Sequence, residues 1–411
     1  MKKIIPLIFL PLLLLPGVSL FALDFGLLLD NTFGIESVES GDLKEGIDYS
    51  GSLVSWLSTP ISNNGTRFYL SGGVTAKYEK TIFSFAPEIF RAELSLPIGK
   101  RNEIKLGRMH YEDPLGFVTS GIFDGMYFSH TGKKNGTLGL GAWYTGLVYK
   151  KTARITVTDD DLAAYNAGFD FSEPSTYFAS QRFLWGLEWG NPFIAEWIRL
   201  KTALWIQFDF SGGAFNSEYL MAKADIPIKN FVLNLGACLE MAEGAGTGSS
   251  SDLVFAFAGE LGVEWSLPTP IQDRLMFTGR FSSGKSDNDA FGPFIPLTTK
   301  FYGYILKAKL SGLSTICLDY TARLHQSLSL DVSNTYFILS DPETYKGLPG
   351  MPGTRGGLAL GDELFARLIW SPLSDLRFNL GGGVFLPALG TADKTASPMW
   401  RLELNAVIAI F

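Results

Sequence analysis

Between Trp197 and Phe210 apolar and polar side chains trade places residue by residue. Ile198, Leu200, Thr202, Leu204, Ile206, Phe208 and Phe210 share one parity, while Arg199, Lys201, Ala203, Trp205, Gln207 and Asp209 share the other. A helix would scatter these charges around its circumference; a strand puts them all on one face. The same period of two recurs at Leu253–Leu267, where Leu253, Phe255, Phe257, Leu261, Val263 and Trp265 oppose Glu260 and Glu264. It recurs again at Phe90–Leu96, Phe231–Glu240 and Leu376–Leu386. Segments of about ten alternating residues, bounded by turn residues and repeated along a chain, are the pattern of strands that cross a membrane.

A soluble sandwich also alternates, so the chain must be judged as a whole. Strand-like segments continue with no compact domain break, and Trp185, Trp189, Trp197, Trp265, Trp370 and Trp400 stand near segment ends, as an interfacial girdle would require. The expectation is an all-β fold, a single up-and-down antiparallel transmembrane β-barrel.

Turn chemistry predicts the number of strands. Short turns are expected at Gly99–Asn102, Thr131–Asn135, Gly190–Phe193, Pro227–Asn230, Leu267–Gln272, Leu324–Ser327 and Ser371–Asp375. Long polar or Gly-rich connections are expected at Ile35–Gly46, Tyr111–Gly121, Lys150–Tyr177, Ala242–Ser251, Gly284–Thr299, Ser340–Gly361 and Ala388–Pro398. The two sets interleave if Asp24–Phe33 is the first strand and Met399–Phe411 the last, which gives about 18 strands. Glu103–Met109 is short and poorly patterned, so 16 is the alternative. Phe301–Leu310 alternates too but would break the parity of the loops, and is assigned to an outer loop or a strand extension.

Composition narrows the reading. Hydrophobic residues make up 46% of the chain and aromatics 14%, yet beyond the N-terminus no segment has the 18 or so apolar residues of a membrane helix. The N-terminus itself has Lys2 and Lys3, an apolar run from Ile4 to Leu15, and small residues up to Ala22. That order predicts a secretory signal peptide over 1–22 and a barrel over 23–411, with no plug domain ahead of the first strand. The formal charge of −7 gives no reason to expect nucleic acid. The expected location is the outer membrane of a Gram-negative-type bacterium, with membrane lipid, periplasmic chaperones and the barrel-assembly machinery as partners.

Two stretches, Leu106-Gly-Arg-Met-His-Tyr-Glu-Asp113 with Phe123-Asp-Gly125, and Leu360-Gly-Asp-Glu-Leu-Phe-Ala-Arg-Leu-Ile-Trp370 with Leu376–Phe385, resemble the alginate-export type of outer-membrane barrel. The resemblance implies an 18-stranded channel of the porin kind and names no solute for this chain. The chain closes on Phe411, as outer-membrane barrels do, but the apolar Leu402, Leu404, Ile408 and Ile410 have the opposite parity.

On these assignments the lumen carries Arg67, Lys77, Arg91, Arg182, Arg199, Lys201, Lys223, Arg274, Arg280, Arg323, Arg367, Arg377 and Arg401. It also carries Glu93, Glu188, Asp209, Asp225, Glu240, Glu260, Glu264, Asp319, Asp331, Glu363 and Glu403. These charges either bind an anionic solute or pair across strands and stiffen the wall, and the pairing is favoured. The long Lys150–Tyr177 connection, with its acidic Thr158–Asp161, is a candidate constriction. His110 and His130 are expected near one outer end; with His325 they are too few and too scattered to argue for catalysis or a metal, so no cofactor or enzyme activity is expected. Cys238 and Cys317 are expected as free thiols on the inward face. The predicted function is passive diffusion of small hydrophilic solutes with a weak anion preference. The alternatives are a loop-plugged adhesin or antigen barrel and, further off, a barrel lipid hydrolase.

Overall fold

Where the sequence alternates, the computed structural model has strand. It describes residues 23–38, 45–79, 81–133, 136–194, 197–211, 215–243, 253–285, 291–341 and 357–411. The 1–22 segment, read as a signal peptide, lies outside them.

Eighteen antiparallel strands make one sheet. The first six are Asp24–Glu36, Ile47–Pro60, Arg67–Glu79, Ile82–Ile98, Asn102–Glu112 and Ser120–Thr131. The next six are Thr137–Tyr144, Arg182–Ile194, Ile198–Asp209, Asn216–Ile228, Phe231–Glu243 and Val254–Ser266. The last six are Arg274–Ser282, Leu313–His325, Leu328–Leu339, Ala359–Leu373, Leu376–Leu386 and Met399–Ile410. Each pairs with its neighbour in sequence, and the sheet closes where Leu27–Glu36 runs against Arg401–Ile410. Glu103–Met109 is a full strand despite its weak pattern, because both edges are taken by neighbours whose own patterns are strong.

The pleat sorts side chains as the period of two requires. Leu239 is 60% exposed, while Cys238 and Glu240 on either side are 1% exposed. Outward positions such as Leu204, Phe208, Leu220, Leu261, Ile316, Leu364, Leu380 and Leu402 are exposed apolar residues all round the wall. A soluble protein does not present such a surface, whereas a barrel in lipid must. Among the described residues no helix is long and apolar enough to cross a membrane, so the strands are the spanning elements. Stacked pairs Phe231–Trp265 and Trp370–Phe378 mark one end of this belt, beside the connections 229–230, 267–273 and 374–375.

Connections alternate between the two ends. At one end lie 61–66, 99–101, 132–136, 195–197, 229–230, 267–273, 326–327 and 374–375, all short. At the other lie 37–46, 80–81, 113–119, 145–181, 210–215, 244–253, 283–312, 340–358 and 387–398. Parity counting therefore holds, but the connections 61–66, 80–81 and 210–215 lie outside the expected set, although Ser62-Asn63-Asn64-Gly65 carries clear turn chemistry. In the two-residue hairpin at 229–230, Lys229 takes φ +54°, the left-handed value such a hairpin needs. Phe301–Leu310 belongs to a loop, as expected, where Phe301–Tyr302 and Ala308–Lys309 form a separate small hairpin.

One stretch of wall is incomplete. Strand Ile82–Ile98 pairs with Asn102–Glu112 only from Ala92/Arg108 down to Ile98/Asn102. Above that level, past a bulge between Ile89 and Arg91, it pairs only with Arg67–Glu79.

Candidate permeation pathway

Loops 113–119, 145–181 and 283–312 pack together inside the loop end of the barrel. Loop 113–119 is tied to itself: the Asp113 carboxylate accepts the backbone N–H groups of Leu115, Phe117, Val118 and Thr119 at 2.7–3.4 Å. This turn aims Leu115 across the lumen to the opposite wall, where a Cβ on Gly236 would stand 2.5 Å from the leucine methyl. Glycine at 236 is thus a space requirement.

Loop 283–312 spans the mouth. Phe294, Leu297, Ala308 and Leu310 in it are buried. Its backbone is held by carboxylates projecting inward from the wall. Glu240 accepts the N–H of Ile295 at 2.7 Å, and Glu363 accepts those of Tyr304, Ile305 and Leu306 at 2.6, 3.1 and 2.9 Å. Tyr219 donates its hydroxyl to the Ile295 carbonyl at 2.7 Å. On the far side Thr298 donates to the Val118 carbonyl and Thr299 to that of Arg154, and Lys307 pairs with Glu36 at 3.4 Å. Tyr304 stacks on Phe365 at 4.3 Å between ring centres, with the Arg367 guanidinium 4.9 Å away over its ring. This loop is therefore anchored to the wall and to its neighbouring loops at several points around the mouth.

Loop 145–181, the expected constriction, spends its acidic stretch differently. Thr158 and Asp161 form a capping box at the start of helix Asp159–Asn166. Arg182 holds Asp161 at 2.6 Å and Asp209 at 3.2 Å, all three side chains nearly inaccessible. Burial alone would raise the Asp161 carboxyl, but the Arg182 charge and hydrogen bonds from Ser180, Thr158 and Arg182 outweigh it and hold its pKa below the usual aspartate value.

Six of the thirteen predicted lumen cations form ion pairs with described carboxylates. Arg91 meets Glu93 at 2.8 Å and lies over Tyr69; Arg280 meets Glu260 at 2.6 Å beneath Tyr302. Arg367 meets Glu403 at 2.8 Å, and Arg274 meets Glu264 at 3.4 Å. Arg401 is saturated by Glu36, Asp48 and Glu403 at 2.6, 2.8 and 3.3 Å, and so locks the seam between first and last strands. Arg323 donates to the Gln326 carbonyl at the turn end. Arg199 and Arg377 carry the inward parity at strand starts and stay exposed, and Lys201 shares that parity. With Glu188, Lys223, Thr202 and Tyr127, Lys201 lines a cavity of about 470 Å³ below Leu115. A second cavity is lined by Arg274, Asp319, Asp331, Arg367 and Tyr304, and a third, at the turn end, by Arg67, Arg91, Trp56 and Phe411. Phe411 thus turns toward Trp56 on the lumen side, as its odd parity implied.

The histidines are a correction. His110 stands near the loop end of its strand, whereas His130 pairs in register with Asn102 at the turn end and bonds its side chain at 2.7 Å. Ser120–Thr131 runs away from the loop end, so the nineteen residues between the two histidines return the chain to the other rim. Among the described residues no cluster of metal-ligating side chains occurs. Cys238 and Cys317 are buried free thiols on non-adjacent strands, as expected.

A closed barrel of this kind is found in solved structures of outer-membrane proteins. OpdK from Pseudomonas aeruginosa aligns over 95% of this chain and 99% of its own, with TM-score 0.60 and 11% identity. This barrel has the fold of the Pseudomonas OccK-type channels. OccK2 (OpdF) aligns over 94% and 97% with TM-score 0.61 and 12% identity, and OccK11 (OpdR) over 94% and 96% with TM-score 0.59 and 13% identity. OpdK has also been solved with vanillate. Neither a protein-family model nor a characterised protein sequence matches the chain. At such identities the likeness to the OccK-type channels is one of fold: the same closed wall over nearly the whole of both chains.

Proposed function

We propose that the protein is an integral outer-membrane channel through which small hydrophilic solutes diffuse passively, with a weak preference for anions. The carrying observation is the inward face: charged and polar side chains run along it from the turn end up to the loop that narrows the mouth, and three cavities, each lined in part by charged residues, lie along it. Charges in a water-filled tube keep their hydration, whereas on the lipid face a midplane Arg costs about 2–4 kcal/mol. The fold shared with OccK-type channels supports the same reading.

The preference for anions rests on which charges are left over. Paired arginines contribute little net field, so the preference is assigned to Arg199, Lys201 and Arg377, which form no ion pair among the described residues. Export as a precursor, chaperoned passage to the membrane and insertion by the barrel-assembly machinery belong to the same proposal.

A second reading, a loop-plugged surface barrel, is favoured by one observation. Leu115, Phe117, Phe294, Leu297, Ile305 and Leu306 form an apolar cluster inside the loop end. Planar-bilayer recording of the refolded protein separates the two. Discrete conductance steps are expected of the channel, and persistent silence would overturn it in favour of the plug.

A further inference from the structure

The gap in the wall between strands Ile82–Ile98 and Asn102–Glu112 is bounded by unpaired edges. Met109–Glu112 bonds only to Ser120–Phe123, and Ile82–Arg91 only to Arg67–Glu79. Four residues at the usual strand rise make a slot about 13 Å tall. Elsewhere such a shortfall is closed by backbone: beside Val254–Ser266, where Arg274–Ser282 falls short, Ser283 and Gly292 continue the ladder to Phe257 and Phe255. Here closure is left to side chains of loop 145–181. Thr152 donates to the Glu88 carboxylate at 2.7 Å, and Tyr177 donates to the Pro87 carbonyl at 2.7 Å.

The third closure is Arg108. It has the parity of the exposed Leu106, and Asp124 has that of the exposed Met126, so this pair faces away from the lumen. The guanidinium holds both Asp124 oxygens at 2.7 and 2.9 Å, and also donates to the Ile89 carbonyl across the slot and to the Leu147 carbonyl of the loop. A hydrogen-bonded ion pair is costly on a lipid-facing wall unless it has work there. Around it Ile89, Phe85, Leu147 and Phe178 are exposed apolar groups. The slot thus has an apolar rim outside, the Glu88 carboxylate and a strap of polar side chains inside, and one cation bridging its edges.

We propose that this slot is a lateral exit between the channel mouth and the membrane, latched by Arg108, which admits a single-tailed amphiphile bearing a carboxylate. The tail slides along the apolar rim, and the head exchanges with Asp124 on the Arg108 guanidinium. The inference goes beyond passage of hydrophilic solutes along the barrel axis and does not depend on it.

The test uses the full mature chain in lipid nanodiscs containing a photoactivatable fatty acid, with labelled peptides located by mass spectrometry. Labelling of Tyr149–Thr152, behind the slot, is expected in the wild-type chain. Labelling should exceed that by the neutral methyl ester of the same probe about tenfold, the factor carried by one charge-assisted bond, and should lose that excess in Arg108→Ala, which removes the partner of the head along with the latch. It should vanish when Glu88→Cys and Thr152→Cys are joined by a short bis-thiosulfonate reagent. The gel shift between heated and unheated samples identifies folded variants, and the thiol clamp needs no loss of Arg108. Labelling that stays confined to lipid-facing residues such as Leu204, or that is indifferent to the clamp, overturns the exit. Conductance of the clamped protein is read in parallel: silence there, with labelling lost on clamping and present without it, would refute the axial channel and leave the exit standing.

Discussion

The Glu363 carboxylate accepts the backbone N–H of Tyr304 at 2.6 Å and, with the next two N–H groups, cradles the loop that narrows the barrel. Glu363→Gln keeps the shape but turns an amide donor toward three donors. The loop should lose about 1–3 kcal/mol of anchoring. Single-channel recordings are expected to show larger, flickering steps; unchanged conductance would mean that the loop is held elsewhere.

Arg182 compensates two buried carboxylates, Asp161 and Asp209, from one guanidinium. Arg182→Met leaves both without a counter-charge, a loss of about 3–5 kcal/mol. Loop 145–181 should become sensitive to trypsin while the strands stay resistant.

Acidification should release the same loop. Because the Asp161 pKa is depressed on folding, its contribution is in place above the ordinary aspartate value of about 3.9 and disappears as pH falls through the lower folded value. Hydrogen exchange across helix Asp159–Asn166 should be constant from neutral pH to about pH 5 and accelerate only in strong acid. In Asp161→Asn that acid step should be missing.

Selectivity should follow the cations that lack partners. Reversing Arg199 and Arg377 to Glu is expected to move the reversal potential in a salt gradient toward cation preference. Reversing Arg280, already neutralised by Glu260, should move it less.

The lipid belt can be tested at Leu235, an outward residue 39% exposed and flanked in register by Ala224 and Leu261. Leu235→Arg should destabilise the barrel by about 2–4 kcal/mol in vesicles, measured by urea unfolding.

What the sequence revealed is what local physics controls. Leu261 beside Glu260 declares two faces without help from the rest of the chain, and turn parity brings the strands to 18. What escaped depends on contacts between distant segments. That Leu115 needs the room at Gly236, or that the acidic stretch at Asp161 is consumed by Arg182, has no signature in either segment alone. Arg108 misleads most: alternation says outward and charge says inward, and the conflict resolves only once Asp124, Ile89 and Leu147 are seen around it. The misplaced His130 has a plainer cause, since each strand reverses direction and nearness in sequence says little about which rim a residue reaches.

The seam carries a temporal consequence. Asn405 reaches Asp30 at 2.6 Å across a separation of 375 residues, and Arg401 meets Glu36 beside it. Contacts of this range form late, so through most of assembly two open edges wait for each other, each a template for a foreign strand. The cell must shelter a nearly finished cylinder until its two ends meet.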